Sequence, residues 1–128
     1  MKLLLDTHTL LWFLSGDRRL STKVRILIED LSNERLVSVA SIWEITIKVS
    51  LNRLKFPTTD TQAIQSILTD NRIQLLPIAL QHVLAVTHLD FHHRDPFDRI
   101  LVTQCQLETA TLLTKDPAFK NYDIKTVW

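Results

Sequence analysis

The chain has 128 residues, 45% of them hydrophobic, with 15 basic and 14 acidic side chains for a net charge of +1. That length and apolar content fit one folded domain spanning 1–128, one that buries roughly two-thirds of its unfolded surface, and exclude a disordered tail. The near-even charge neither demands nor excludes nucleic acid, and any anionic substrate must be held by local charge; the single cysteine, Cys105, excludes an intrachain disulfide or a cysteine zinc cluster.

In chain order, LLLD at 3–6 reads as a strand buried on both faces that ends on Asp6. THTLLWFL follows as a helix that Asp6 can cap. LSTKVRILIEDL puts Leu20, Val24, Leu27, Ile28 and Leu31 on one helical stripe. LVSVA at 36–40 is a second buried strand. Ser41 then announces the helix SIWEITIKVSLNRL, with Glu44 placed as its capping-box partner. TTDTQAIQSILTDN is another amphipathic helix, and IQLLPI at 73–78 is a third strand. LQHVLAVTHL reads as a helix carrying His82 and His88 on its surface. His92 and His93 resemble a metal pair, but adjacent residues on an extended chain point apart, which makes a solvated loop the expectation. DPFDRILVTQCQLE is a helix with Asp95 as cap, Pro96 at its first position and Asp98 in its first turn. Cys105 is expected to pack there as a small hydrophobe. TATLLTKD at 109–116 is a fourth strand that runs into Asp116-Pro117, and DIKTVW at 123–128 is a fifth. Strands alternating with helices predict an α/β fold with a mainly parallel sheet and right-handed crossovers.

In such open sheets ligands bind outside the carboxyl ends of the strands. Four acids fall there: Asp6, Glu44, Asp98 and Asp116. Each has an ordinary role as a helix cap or first-turn acid, worth about 0.3–1 kcal/mol from the helix dipole. Four together on one rim repel one another, at a cost on the order of 4 kcal/mol per pair about 4 Å apart in a medium of dielectric 20. Protonation or a bound cation must relieve that repulsion. An all-oxygen donor set suits Mg²⁺ or Mn²⁺ rather than zinc, and points to phosphate chemistry with an activated water.

With those residues identified, the chain resembles the PIN-domain family over essentially its whole length. It looks most like the VapC-type toxins, the ribonuclease half of bacterial type II toxin–antitoxin pairs. LLLDTHTLLWFL is similar to the opening motif, VSVASIWEITIKVSLNRL to the second, HHRDPFDRILVTQCQ to the third and LLTKDPAFKNY to the fourth. The resemblance implies a PIN-like three-layer α/β/α sandwich and Mg²⁺- or Mn²⁺-dependent RNA cleavage. It also implies a homodimer and a cognate antitoxin that blocks the site. The expected location is cytoplasmic, since no apolar run reaches the roughly 18 residues that span a bilayer and the start, one lysine and three leucines before Asp6, is too short and too acidic for a signal peptide. One departure stands in the third motif, where Val102, Thr103 and Cys105 replace residues that are commonly small.

Under that resemblance Asp6, Glu44, Asp98 and Asp116 form the catalytic cluster, with Asp6, Asp98 and Asp116 as metal ligands and Glu44 orienting or deprotonating the attacking water. Asp95, Thr114 and Ser41 are supporting residues, each with a structural alternative as cap or strand filler. Arg99, Lys115 and Lys48 are the expected RNA contacts, although Lys48 is also spaced for an ordinary ion pair with Glu44. Arg53 and Lys55 extend a binding rim, and Trp12 and Trp43 are expected to pack in the core or at a dimer face. Two rival readings remain. A receiver-like phosphoacceptor domain is disfavoured because no second acid stands beside Asp6 and LVSVAS holds no aspartate. A catalytically silent RNA- or protein-binding domain has no evident need of four converging acids.

Overall fold

The computed structural model describes residues 1–128. Five parallel strands form one sheet in the order β3-β2-β1-β4-β5: β1 Lys2–Leu5, β2 Glu34–Ser38, β3 Gln74–Leu76, β4 Thr111–Leu113 and β5 Thr126–Val127. Six helices connect them: α1 Thr7–Ser15, α2 Thr22–Glu29, α3 Val39–Ser50, α4 Thr61–Asp70, α5 Leu80–Ala85 and α6 Pro96–Glu108. Short 3₁₀ turns at Val86–His88 and Pro117–Asn121 complete the course of the chain.

The central strand shows why this is a three-layer α/β/α sandwich. Leu3, Leu4 and Leu5 are all fully buried. Alternation sends Leu3 and Leu5 to one face, against Leu10, Val24, Ile28, Ile45 and Leu68 of α1–α4. Leu4 goes to the other, against Leu101, Val102 and Cys105 of α6. Each such leucine contributes about 1.5–3 kcal/mol, so the central strand is apolar throughout and can offer polar groups only where it ends. Cys105 is buried as expected, which pushes its thiol up to about 12. The bulkier residues of the third motif are accommodated: Val102 and Thr103 are fully buried, and the Thr103 hydroxyl donates to the His82 carbonyl at 2.8 Å, tying α6 to α5.

Several local expectations are corrected. The second strand lies at 34–38, not 36–40, because Ser38 holds an extended backbone and its hydroxyl accepts from the Ala40 amide at 3.0 Å. Ser38, not Ser41, therefore caps α3, and no Ser41–Glu44 capping box forms. Leu31 lies beyond the end of α2 and is exposed. The helix expected at 80–89 gives way to the 3₁₀ turn after Ala85. His82 is not on the surface but 3% exposed. Its Nδ1 accepts from the Ala79 amide at 2.9 Å, so Nε2 carries the proton and donates to Glu108 at 3.0 Å. Trp43 is 57% exposed, its ring edge-on to Phe97 rather than in the core, whereas Trp12 is half-buried against the apolar layer of α1–α4.

No helix is long and apolar enough to cross a membrane.

Candidate active site

All five strands run the same way, so their carboxyl ends share one rim. Asp6 follows β1 directly, Glu44 sits in the second turn of α3 just after β2, and Asp116 follows β4 by three residues. Helix α6 leads into the parallel strand β4, so its N-terminus, with Asp98, returns to the same rim.

Helix starts fix these acids. Asp6 Oδ1 accepts from the Thr9 amide at 2.8 Å as the cap of α1. Asp95 Oδ1 accepts from the Phe97 amide at 2.8 Å and the Asp98 amide at 3.3 Å as the cap of α6. Asp116 Oδ1 accepts from the Ala118 amide at 2.9 Å. The capping roles and the cluster therefore coexist: one carboxylate oxygen holds the backbone and the other remains for the rim.

Glu44 is gripped on both sides. Its Oε1 accepts from the Thr7 hydroxyl at 2.7 Å, and its Oε2 meets Lys48 Nζ at 2.9 Å. Thr7 is a site residue that sequence reasoning missed, although it stands beside Asp6 in the opening motif. The ordinary ion-pair alternative for Lys48 is the one observed. Ser41 lies one helical turn before Glu44, 1% exposed, with no hydrogen-bond partner for its hydroxyl.

The electrostatics record the convergence. Burial pushes the Asp98 carboxyl up to about 7; the charges of Asp95, Glu44 and Asp6 push the same way, while His93 opposes them. Asp6 is buried at 6% exposure and is also raised by desolvation, against the pull of the Thr114 hydroxyl and the Thr9 amide. Thr114 is itself buried, and its hydroxyl accepts from the Asp116 amide at 3.1 Å, tying the end of β4 to the turn that carries Asp116.

Two expectations change here. His93 does not sit in a solvated loop: its Nε2 is 2.9 Å from Asp98 Oδ2 and 3.5 Å from Asp116 Oδ2. The three donor atoms lie within 4.8 Å of one another, close enough to share a metal ion. Only His92 is exposed, its ring edge-on to Tyr122. The two rings do point apart, as adjacent residues should, but one of the two directions leads to the acids: the His93 amide donates to the Tyr122 hydroxyl at 2.9 Å and its ring faces Asp98. Arg99 is not free to touch RNA. It is 6% exposed, and its guanidinium donates to the carbonyls of Asp90, His93, Val86 and Leu89 and to the Tyr122 hydroxyl at 2.9–3.4 Å. Lys115 remains exposed, with Nζ 6.0 Å from the Trp12 ring centroid.

Comparison with known proteins follows the same lines. Among solved structures, VapBC2 from Rickettsia felis bound to a promoter DNA fragment is similar at a TM-score of 0.70, with 16% identity over 99% of this chain and 98% of that one. VapBC-1 from nontypeable Haemophilus influenzae gives 0.70 at 17% identity, covering 99% and 97%. A toxin–antitoxin complex from Klebsiella pneumoniae gives 0.65 at 18%, covering 98% and 95%. At such identities the likeness is one of fold. No curated protein matches the sequence. The family model for the PIN domain, however, matches residues 3–125, from the strand that delivers Asp6 to beyond the turn that carries Asp116. A chain matched along that whole span belongs to the PIN domain family.

Proposed function

We propose that the chain is a Mg²⁺- or Mn²⁺-dependent endoribonuclease and the toxin of a type II toxin–antitoxin pair. The observation that carries this reading is the convergence of His93, Asp98 and Asp116 at the carboxyl ends of the strands, their donor atoms within 4.8 Å of one another; the raised Asp98 carboxyl, about 7, agrees with a site short of positive charge. The residues fit a divalent cation. His93, Asp98 and Asp116 bring one nitrogen and two oxygen donors within 4.8 Å of one another, and Asp6, whose charge acts on Asp98, offers a further carboxylate from the end of β1. A bound cation supplies the Lewis acidity that lets water attack a phosphodiester at neutral pH.

The side chains do the rest. Glu44, aimed by Thr7 and Lys48, orients the water through its remaining lone pairs. Thr114 fixes the Asp116 backbone at the end of β4, and its hydroxyl favours the charged form of Asp6. Asp95 fixes the first turn of α6 and adds negative charge beside Asp98. The unpartnered Ser41 hydroxyl has a donor to offer on the Glu44 side of α3. Water adds to phosphorus as the P–O3′ bond breaks, leaving a 5′-phosphate and a 3′-hydroxyl. A cognate antitoxin that covers this rim would silence it, and a homodimer is the expected assembly; the VapBC and other toxin–antitoxin neighbours support both the toxin role and the antitoxin.

The test is incubation of the purified chain with total RNA, with Mg²⁺ or with EDTA, followed by mapping of the new ends. Mg²⁺-dependent cuts bearing 5′-phosphates support the reading. Intact RNA in both, or cutting indifferent to EDTA, overturns it.

A further inference from the structure

Beside the acid rim lies a second feature that the cluster does not use: a groove of about 720 Å³ between α1, the end of α3 and α4. Its apolar part includes Trp12, Leu54 and Phe56, all half-buried. Its rim carries Arg19, Lys48, Arg53 and Lys55 against one acid, Asp17. Two of these cations are already matched: Arg19 pairs with Asp17 at 2.8 Å and Lys48 with Glu44 at 2.9 Å. Arg53 and Lys55 are exposed and pair with no acid. In a chain of net charge +1, two free cations over an aromatic floor are a local surplus that bulk charge does not explain.

The position of Arg53 is built. Asn52 holds a left-handed backbone (φ 55) after α3, and its amide donates to the Val49 carbonyl at 3.0 Å. The Arg53 amide reaches back to the Lys48 carbonyl at 2.9 Å. This closing turn satisfies two end carbonyls of the helix and fixes where the Arg53 side chain leaves the backbone. Lys48 belongs both to the groove wall and, through its ion pair, to Glu44, so the groove opens directly onto the acid rim.

We propose that this groove binds an unpaired nucleotide of the RNA strand next to the cleaved bond, with its phosphate on Arg53 and Lys55 and its base against Phe56 and Leu54. The proposal rests on the ribonuclease reading and gives it a substrate form: single-stranded RNA whose base faces are free. A flat apolar floor with a cationic rim suits a base joined to a phosphate, because stacking is indifferent to sequence while the cations track the backbone. A paired duplex hides its base faces and does not fit.

The experiment measures binding of a fluorescein-labelled hexaadenylate in EDTA, where cleavage plays no part, by anisotropy at two salt concentrations. The double substitution Arg53→Glu with Lys55→Glu changes only exposed side chains. It is expected to weaken binding about tenfold or more and to flatten the logarithmic salt slope by about 0.7, the value for one phosphate contact on a single strand. Phe56→Leu keeps the apolar packing and removes the ring; it is expected to weaken hexaadenylate binding about fivefold or more. Unchanged affinity and slope in the double variant overturn the proposal. So does a hexaglutamate peptide that competes as well as the RNA, which would assign the groove to an acidic protein segment. A chain that binds RNA through these residues yet cuts none with Mg²⁺ would leave the groove standing and remove the nuclease reading instead.

Discussion

Asp98 and Arg99 are neighbours on one helix, and they serve opposite kinds of polar site. Around Asp98 the charges are unbalanced: a buried carboxylate faces other acids and a single imidazole, and its proton is held up to about 7. Behind it, Arg99 is a buried cation whose two terminal nitrogens are answered by four carbonyls and a phenol. The second site stabilises the fold by leaving nothing unsatisfied. The first lowers stability and is kept in place by the second, since Arg99 holds the carbonyl of His93 while His93 faces Asp98. A site prepared for a ligand shows itself by what its residues lack.

The strongest way to break the contrast is at the anchor. Arg99→Ala strands several carbonyls and releases the segment from Val86 to His93; it should cost about 3–5 kcal/mol in urea unfolding. An unchanged midpoint would mean that the network is decorative. Next come the acids. Asp6→Asn and Asp98→Asn should each lower Mg²⁺-dependent cleavage by more than about a hundredfold while circular dichroism stays native, because asparagine keeps the shape and, at Asp6, the capping oxygen. The same Asp98→Asn chain should melt higher than wild type at pH 8 without metal, since it removes a charge the site disfavours.

A smaller effect follows from the proton on Asp98. Its folded value, about 7, lies above the ordinary carboxylate value, so between about pH 4 and 7 the native state holds more proton than the unfolded one. Stability from this group is therefore greatest below about pH 4 and falls as pH rises to 7. Thermal melts of wild type should lose about 1–2 kcal/mol across that window relative to Asp98→Asn, after allowance for screening. Mg²⁺ or Mn²⁺ at pH 8 should restore the loss in wild type only. The smallest effect is expected at Glu44. Thr7→Val removes one 2.7 Å hydrogen bond and should slow cleavage about tenfold with stability changed by about 1 kcal/mol or less. Lys48→Ala, which breaks a part-exposed helical pair, should cost only about 0.3–0.5 kcal/mol.

Much of this was legible before the structure because it follows from local rules. Three buried leucines ending in an acid specify a central strand and its rim, and Asp95-Pro96 specifies a helix start to the residue. Legibility failed where a distant partner decides. Arg99 looks like a free cation in the sequence; only the fold brings the carbonyls of the 86–93 segment around it. His82 was misplaced for the same reason, since Glu108 arrives from the far end of α6. His93 was missed because the period-two rule says only that neighbours point apart, not which of the two directions leads to the acids; Asp98 and Asp116, brought in by the fold, decide that. Ser38 was passed over for Ser41 because both precede apolar helical runs, and the choice between them depends on where the ladder with β1 stops.

The place of β1 at the middle of the sheet has a consequence for synthesis. Leu3 pairs with Arg35 on one side but with Thr111 on the other, so half of its ladder waits for the last part of the chain. On a ribosome, Asp6 emerges first, and Asp98 and Asp116 emerge last. A nascent chain that has made only the first two strands and α3 therefore carries Asp6 and Glu44 without Asp98 and Asp116, and the rim is assembled only after translation has passed Asp116. Under the proposed ribonuclease reading, this order of events keeps the chain harmless to the message and the machinery still making it.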